Sequence, residues 1–451
     1  MIEPQVFKAN DLRGLVRGEH PEWDADGARA IGAAFARALD LAGQEFVLGR
    51  DMRAGGRELS RAFAEGAMRL GANPVEVGLV STDELWYASG ATGLAGVQFT
   101  ASHNPSAYNG IKFCLPQAAP ITPELMARIK QLSFTGLPSA PIPGTPRQAD
   151  MLAGYVAHLH GLVDLSGIRP LRVVVDAGNG MAGLITPAVF AGLPVEVIGL
   201  YLDLDGDFPN HPPNPLEPAN LVDAQAAVRE HRADLGLVFD GDADRCFIID
   251  QAGEVVSPSV LTALIARAEL AREPGAVVVV NTITSTGVAE VIEEAGGRLV
   301  VGPVGHTHLK ALMGRYHAIF GGEHSGHYYF RELWGADSGM LAALHVLSLV
   351  GHGAEPMSAL ARTVPHYPGS GELNAAVADP QAVMRQVAAE FAGEGAVSYE
   401  DGLMVRGDGW WVSVRASNTE PLLRLNVEAG DIGTMTRMRD RALAIIEESN
   451  D

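Results

Sequence analysis

The sequence predicts an α/β protein with three similar α/β domains, each built on a mixed, parallel-rich sheet, and a smaller C-terminal α+β domain, all arranged around a central cleft. Two observations predict this fold. A strand, turn, helix, strand pattern occurs three times along the chain. The last segment lacks this pattern and has runs of alternating apolar and polar residues between two helices. The length of 451 residues allows several cores, since one domain usually holds about 100 to 200 residues.

The repeated unit is a short apolar run, a polar turn, a helical stretch closed by glycine and a second apolar run. Buried β-branched strands joined in this way through a helix form a βαβ unit, which favours parallel pairing. The three copies have their paired apolar runs at residues 46–48 and 74–79, 173–175 and 194–200, and 277–280 and 299–302.

The C-terminal segment has a different pattern. Asp379 is a suitable N-cap and Pro380 suits the first helical position, so a helix is predicted to about Phe391. Alternating runs follow at 402–405, 410–414 and 422–427, and a last helix starts near Gly433. Proline- and glycine-rich stretches at 141–144 and 365–368 are predicted linkers. The predicted domains are 1–145, 146–251, 252–365 and 366–451.

The charge and cysteine content narrow the class of protein. A formal net charge of −21 argues against nucleic-acid or membrane partners, because both need a cationic surface. A phosphorylated ligand is still compatible if cations gather locally around it. The two cysteines, Cys114 and Cys246, have no metal-ligand spacing and predict neither a disulfide framework nor a zinc site. We expect a cytoplasmic protein without a membrane span, as a monomer or homodimer.

A serine stands at the centre of residues 100–105, which read Thr-Ala-Ser-His-Asn-Pro. The proline prevents a helix, so the segment is a loop that presents the hydroxyl of Ser102. On local grounds a polar turn closed by Asn-Pro explains it as well. Downstream, residues 108–112 are predicted to supply a turn and a cation, Lys112.

Three aspartates, Asp240, Asp242 and Asp244, follow the apolar strand at 235–239 at every second position. Carboxylates alternating on a tight glycine-containing turn converge on one point, and such oxygen ligands suit Mg²⁺ or Ca²⁺. A solvated acidic turn is an alternative. An EF-hand is not, because the downstream glutamate and flanking helices are missing. Arg245 can hold a phosphate that the metal also touches.

Two further loops carry polar groups. Glu323, Ser325 and His327 alternate around Gly322 and Gly326, a pattern that suits vicinal sugar hydroxyls or a loop network whose polar groups bind one another. Residues 415–421 contain a run of donors that suits a phosphate dianion or a surface turn. These donors are Arg415, Ser417, Asn418 and Thr419.

No single loop of these four identifies a family, but the ordered set resembles the α-D-phosphohexomutases, the phosphomannomutases and phosphoglucomutases. The resemblance spans nearly the whole chain. It includes an N-terminal element at 7–14, where Asn10 stands in place of a frequent tyrosine, and Gly305-His306 followed by Lys310. Residues 281–285 lack the lysine that some dual-specificity members carry. Segments 81–85 and 335–339 look closest to bacterial phosphomannomutases.

The resemblance implies a role for each site residue. Ser102 is the phosphoryl carrier, and Mg²⁺ is bound by Asp240, Asp242, Asp244 and Ser102. The remaining residues near the reacting phosphate are His103, Lys112, Arg13 and Arg245. Which of His103, Lys112 and Arg13 moves the proton stays open. Substrate binding falls to His306, Glu323, Ser325, His327, Arg415, Ser417, Asn418 and Thr419.

The implied activity is interconversion of mannose 6-phosphate and mannose 1-phosphate through phospho-Ser102 and a hexose 1,6-bisphosphate, which also acts as activator. Small hexose phosphates are the expected partners. A phosphoglucomutase or dual-specificity mutase is the nearest alternative. Remoter alternatives are a haloacid-dehalogenase-type phosphatase, in which Asp240 itself is phosphorylated, and a non-catalytic sugar-phosphate- or Ca²⁺-binding protein.

Overall fold

The three predicted βαβ repeats are present in the computed structural model, which describes residues 1–8, 11–416 and 422–449. The domain names follow the predicted boundaries, except that the strand Arg147–Gln148 lies beyond residue 145 but pairs with the sheet of domain I. Domain I has strands β1 Asp11–Leu15, β2 Glu45–Arg50, β3 Asn73–Leu79, β4 Gly96–Phe99, β5 Tyr108–Leu115, β6 Ala119–Pro120 and β7 Arg147–Gln148. Its helices are α1 Ala25–Ala38, α2 Gly56–Arg69, α3 Thr82–Thr92 and α4 Pro123–Ser133.

Domains II and III follow the same plan. Domain II contains α5 Leu152–Leu162, β8 Leu171–Asp176, α6 Ala182–Val189, β9 Val195–Leu200, α7 Val222–His231, β10 Leu235–Phe239, β11 Cys246–Asp250 and β12 Val255–Val256. Domain III contains α8 Pro258–Arg272, β13 Val277–Asn281, α9 Thr286–Glu294, β14 Arg298–Gly302, α10 His306–Tyr316, β15 Phe320–Gly322, β16 Tyr328–Phe330, β17 Ala336–Asp337, α11 Gly339–His352 and α12 Met357–Ala361.

The sheets of these domains are mixed. Their strand orders are β1-β5-β4-β2-β3-β7, with β6 on β5, then β12-β11-β10-β8-β9 and β14-β13-β15-β16-β17. The predicted repeats supply the parallel pairs β2/β3, β8/β9 and β13/β14. In every sheet antiparallel strands continue from the parallel part, as β4/β5, β10/β11 and β15/β16 do. The parallel part is therefore only about half of each sheet, because tight hairpins follow the crossovers.

Domain IV is the predicted α+β domain. It contains β18 Leu373–Ala375, α13 Pro380–Glu390, β19 Gly395–Ser398, β20 Leu403–Gly407, β21 Trp410–Ala416, β22 Leu423–Ala429 and α14 Ile432–Glu448. Its sheet is antiparallel in the order β18-β22-β21-β20-β19. The Asp379 side chain accepts a hydrogen bond from Ala382 N–H, with Pro380 next to it, so this helix begins where the sequence predicts.

Apolar packing joins the first three domains. One buried cluster includes Val47 and Leu85 of domain I, Val173 and Phe239 of domain II and Phe320 of domain III. Domain IV has a separate cluster between its sheet and its two helices. Cys114 and Cys246 are buried free thiols, as predicted. Within the described ranges, no helix combines the length and the apolar character needed to cross a bilayer.

A buried glutamate near the junction of these domains makes a stability test. Glu84, on α3, is 2% exposed and its Oε2 has no hydrogen-bond partner. Burial, and then the neighbouring Asp83, raise the pKa of Glu84 to about 8 from an ordinary 4.5. The folded chain therefore keeps a proton that the unfolded chain loses between these values, so stability falls as the pH rises from about 4.5 to 8.

Glu84→Gln removes this ionisation. We expect it to increase the free energy of unfolding at pH 8.5 by on the order of 3 kcal/mol and to have little effect at pH 4. Chemical denaturation at both pH values measures the difference. The control is Glu230→Gln, at an exposed position on α7, with an expected change below about 0.5 kcal/mol. Equal effects of Glu84→Gln at both pH values would contradict the expected ionisation.

Candidate active site

The serine loop connects β4 to β5 and holds its hydroxyl against the acidic loop of domain II. Ser102 is fully buried and has a φ of 50°, a left-handed conformation that costs a non-glycine residue on the order of 1 kcal/mol or more. Its N–H donates to Thr100 Oγ1 at 2.9 Å, and its Oγ donates to Asp240 Oδ2 at 2.8 Å. The hydroxyl therefore faces a carboxylate across the domain boundary.

The acidic loop lies at the carboxyl end of β10, where the three predicted aspartates converge. Asp240, Asp242 and Asp244 are at most 1% exposed, and one carboxylate oxygen from each lies within 4.8 Å of the others. Gly241 separates the first two, and a Cβ on it would lie 2.5 Å from the carbonyl oxygen of Ser102. The glycine thus lets the serine loop approach the acidic loop closely.

The acidic loop can hold a metal ion. The Oδ1 atoms of Asp242 and Asp244 are buried without a hydrogen-bond partner, an arrangement that leaves oxygen ligands free for a hard cation. Burial, followed by the charges of Asp244 and Asp242, raises the pKa of Asp240 well above its ordinary value. Three carboxylates this close repel one another, and a bound dication removes that repulsion.

Lys112 neutralises part of this charge. Its Nζ donates to Asp242 Oδ2 at 2.6 Å and to Asp244 Oδ2 at 2.5 Å. Burial opposes the charged amine, but the two aspartates more than offset burial and raise the pKa of Lys112 above its ordinary value. The predicted turn at 108–112 is wrong: these residues form the first part of β5, whose ladders with β1 and β4 fix the lysine.

Arg245 and His103 lie on the other side of the serine hydroxyl. Arg245 Nε is 3.3 Å from Asp240 Oδ2, and its Nη2 is 2.6 Å from His103 Nδ1 and 3.4 Å from Ser102 Oγ. His103 Nδ1 is 3.3 Å from Ser102 Oγ. Burial, and then the charges of Arg245 and Arg13, lower the pKa of His103 well below its ordinary value, so this imidazole is neutral.

Arg13, on β1, contacts the serine loop at Asn104, two residues after Ser102. Its Nη1 donates to Asn104 Oδ1 at 2.9 Å and its Nε to Asp11 Oδ2 at 2.8 Å. Asn10, where the sequence departs from the family pattern, lies outside the described residues.

Domain III supplies the predicted sugar loop between β15 and β16. Glu323 is 2% exposed and already accepts hydrogen bonds from Tyr329, Asn281 and the Gly305 N–H. Ser325 Oγ is 2.8 Å from His327 Nδ1. The structure thus places Glu323 in a protein network that joins its loop to the one carrying His306, and a ligand hydroxyl must share this carboxylate with these donors.

A cavity open to solvent lies where domains I, II and III meet. Its lining includes apolar side chains such as Trp86 and Ile121, the two carboxylates of Asp244 and Asp337, and a larger number of basic side chains. Its basic members are Arg13, Lys112, Arg245, His306, Lys310 and His327. Lys310 pairs with Asp337 at 2.6 Å. The basic pocket expected within an acidic protein is therefore present.

The two histidines of this cavity are neutral. Burial, and then Lys310, lower the pKa of His306 to about 4. Burial, and then Arg245, lower the pKa of His327 to about 3. Each ring can therefore donate one hydrogen bond and accept another.

The predicted phosphate loop is described only at its first residues. Arg415 is the second-to-last residue of β21 and is 6% exposed, and its Nη2 lies 3.3 Å from Glu372 Oε2. Burial lowers the pKa of Arg415. Ser417, Asn418 and Thr419 lie outside the described residues.

Two residues of the site are given no role by the sequence patterns, although one of them, Thr82, lies in the segment 81–85 that resembles bacterial phosphomannomutases. Arg53 follows β2, and its guanidinium donates to carbonyl groups of the serine loop. Thr82 begins α3, and its Oγ1 donates to Asp242 Oδ2 at 2.5 Å while its N–H donates to Asp242 O at 3.0 Å. Both contacts cross long sequence separations, which is why local patterns do not predict them.

Comparison with known proteins defines the class as sugar-phosphate mutases, phosphate-transferring enzymes of the isomerase type. Family models for phosphoglucomutase/phosphomannomutase match four segments in chain order. They are alpha/beta/alpha domain I at residues 4–138, domain II at 153–253, domain III at 257–367 and the C-terminal domain at 372–445.

Full-length relatives agree with the family models. The chain is 38% identical over 461 residues to a phosphomannomutase from Salmonella typhimurium, covering 99% of this chain and 100% of that one. It is 38% identical over 445 residues to a protein from Xanthomonas campestris pv. campestris described as phosphohexose mutases, covering 97% and 98%. A crystal structure of a family protein from Burkholderia thailandensis superposes with a TM-score of 0.90 at 32% identity, covering 100% and 99%. The chain belongs to the phosphoglucomutase/phosphomannomutase family.

Proposed function

We propose that this chain interconverts mannose 6-phosphate and mannose 1-phosphate through a phosphoserine at Ser102 and a hexose 1,6-bisphosphate. The observation that carries the proposal is the 2.8 Å contact between Ser102 Oγ and Asp240, within a buried group of three aspartates. The full-length relative from Salmonella is a phosphomannomutase, which favours mannose. The phosphoglucomutase half of the family name keeps glucose phosphates as the alternative substrates.

In the first half-reaction, the O–P bond of phospho-Ser102 breaks as a sugar hydroxyl oxygen bonds to phosphorus and gives up its proton. In the second half-reaction the other phosphate of the bisphosphate returns to Ser102. Lys112 and Arg245 stay cationic beside the transferring group and offset its negative charge. His103 is neutral and its Nδ1 lies 3.3 Å from Ser102 Oγ, whereas Lys112 is held in its charged form by Asp242 and Asp244. We therefore assign to His103 the transfer of the proton that the sugar hydroxyl gives up and that Ser102 Oγ takes as its bond to phosphorus breaks.

We propose Mg²⁺ as the metal, held by Asp240, Asp242 and Asp244 together with an oxygen on Ser102. The donor set consists of hard oxygens, and two of its buried oxygens lack hydrogen bonds. When bound, the ion neutralises negative charge on the transferring phosphoryl group.

We assign binding of the sugar hydroxyls to domain III and binding of the non-reacting phosphate to domain IV. His306, Glu323, Ser325 and His327 lie around one loop pair and are proposed to bind the hydroxyls. Arg415, with Ser417, Asn418 and Thr419, is proposed to bind the second phosphate. We further propose that a hexose 1,6-bisphosphate restores the phosphate on Ser102 when the enzyme has lost it. We also propose that the enzyme works in the cytoplasm, a reducing compartment consistent with the free thiols of Cys114 and Cys246.

A coupled mutase assay tests the proposal directly. We expect a higher kcat/KM for mannose 1-phosphate than for glucose 1-phosphate in the same assay. Added glucose 1,6-bisphosphate should stimulate turnover of both substrates. A higher kcat/KM for glucose 1-phosphate would shift the assignment to the phosphoglucomutase alternative. Binding of both sugars without turnover would favour a sugar-phosphate-binding protein.

Arg415→Ala tests the proposed phosphate clamp in domain IV. A charge-assisted arginine contact is worth about 1.5–3 kcal/mol, so retention of the bisphosphate should weaken roughly ten- to a hundredfold. We expect a raised KM, accumulation of dephosphorylated enzyme and partial recovery with added glucose 1,6-bisphosphate. Steady-state kinetics and intact-protein mass spectrometry measure both effects.

The matched control is Arg437→Ala, at an exposed arginine on α14 of the same domain. It should leave KM and phosphorylation unchanged. An unchanged KM in Arg415→Ala, with no response to bisphosphate, would place the phosphate clamp elsewhere.

A further inference from the structure

Arg53 has an unusual set of partners. It is 2% exposed, and its Nη1 donates to the carbonyl oxygens of Pro105 and Tyr108 at 2.9 and 3.1 Å. Its Nη2 donates to those of Ser102 and Asn104 at 2.7 and 2.6 Å. One guanidinium thus donates hydrogen bonds to four backbone carbonyl groups at the serine loop.

The carboxylate of Asp51 lies against Arg53. Arg53 Nε is 3.3 Å from Asp51 Oδ2, and the backbone N–H of Arg53 donates to Asp51 Oδ1 at 2.9 Å. Burial raises the pKa of the Asp51 carboxyl, and Thr100, whose Oγ1 accepts from the Ser102 N–H, lies close enough to Asp51 to offset part of that rise. Asp51 therefore lies beside both groups that contact the Ser102 peptide.

Domain II covers this arginine from outside. The Phe208 ring lies 4.9 Å from the guanidinium carbon, a cation–π distance. Gly206 packs on the arginine backbone, since a Cβ there would lie 2.7 Å from Arg53 Cα. Arg53 is therefore packed behind the serine loop, and it is not among the residues that line the cavity.

The conformation of Ser102 explains why such a clamp matters. A serine with a φ of 50° stays in this region only where its surroundings determine it. From this conformation its Oγ reaches Asp240. A displacement of about 1 Å in a phosphoryl-transfer geometry can lower the rate on the order of a hundredfold.

We infer that Arg53 is a positioning residue for phosphoryl transfer: its four Nη N–H groups bind four backbone carbonyl oxygens at the serine loop, that of Ser102 included, and so hold Ser102 in the left-handed conformation that aims the carrier oxygen at the acidic loop. The inference rests on the proposed function. Lysine cannot replace arginine here, because it offers three donors on one nitrogen instead of five on a planar fork. Arg53 does not line the cavity, so replacing this arginine should slow transfer without weakening substrate binding.

The test is Arg53→Lys in the full-length enzyme, with mannose 1-phosphate as substrate. We expect kcat to fall by roughly ten- to a hundredfold while KM changes less than about threefold. The ³¹P NMR resonance of the phosphoserine should broaden or split as the loop samples more than one conformation. The control is Arg57→Lys, an exposed arginine on α2 only four residues away, which should match the wild type in all three measurements.

The outcomes separate the alternatives. A lower Tm with unchanged kcat per folded molecule and an unchanged resonance would make Arg53 merely structural and overturn the inference. If Arg53→Lys does not fold, Phe208→Leu removes only the ring over the guanidinium. It should lower kcat about two- to fivefold at constant KM, and an unchanged kcat there overturns the inference. A wild-type enzyme without phosphate on Ser102 would instead contradict the proposed function.

Discussion

Ser102→Ala is expected to lower turnover by roughly 10⁴-fold or more, because both half-reactions pass through this hydroxyl. Purified wild-type protein should carry a labile phosphate on Ser102, and the variant should carry none. Peptide mass spectrometry locates the phosphate and the coupled mutase assay measures turnover. Ser106→Ala, in the same segment between β4 and β5, is the matched control and should keep both properties.

The position of the phosphate decides between two kinds of enzyme. Phosphate on Asp240 would mean a dehalogenase-type nucleophile, and Ser102 would then only support it. The structure favours the serine, because Asp240 Oδ2 already accepts a hydrogen bond from Ser102 and Oδ1 accepts one from the Arg245 N–H.

Asp242→Asn is expected to lower kcat by about 10²- to 10³-fold while KM for the sugar phosphate changes only a few-fold. The physical reason is that the variant loses one negative charge and one ligand from the acidic loop, which weakens stabilisation of the transferring group more than ground-state binding. The concentration of Mg²⁺ needed for half-maximal activity should rise. Kinetics at several Mg²⁺ concentrations measure all three quantities.

The control is Asp223→Asn, at an exposed aspartate of the same domain, which should leave the Mg²⁺ dependence unchanged. Full activity of Asp242→Asn, or full wild-type activity in excess chelator, would mean that the acidic loop has no role beyond the fold.

The sequence predicts most of the fold because the signals that start and end its helices and strands are local. Each signal spans only a few residues: a β-branched run for a strand, a glycine for the end of a helix, and Asp379-Pro380 for the start of one. The structure has strands and a helix at the positions that these signals predict. Two-residue strands such as β7 and β12 have no such signal, since only pairing with a neighbour makes them strands. The turn predicted at 108–112 is a strand, because ladders with β1 and β4 on both sides override the turn preference of Asn109-Gly110.

The sequence predicts the loops of the site but not the contacts that hold these loops in place. The serine and the aspartates stand out because their residue types suit phosphoryl transfer and metal binding. Arg53 and Thr82 contribute only through contacts made after folding, 49 residues away to Ser102 in one case and 160 to Asp242 in the other. Glu323 stands out by type, yet its three protein donors are visible only in the structure.

The apolar cluster that runs through domains I, II and III makes their boundaries poor places to cut the chain. A fragment that ends near residue 145 would lack the domain II and domain III members of this cluster, and the apolar surface left uncovered promotes aggregation. Domain IV meets domain III through a much smaller apolar contact of Ile283, Met404 and Trp411. Separating domain IV therefore uncovers less apolar surface, although it breaks hydrogen bonds to Asp401 and Glu428, whereas Ser102 and its aspartates belong to parts of the chain that must fold together.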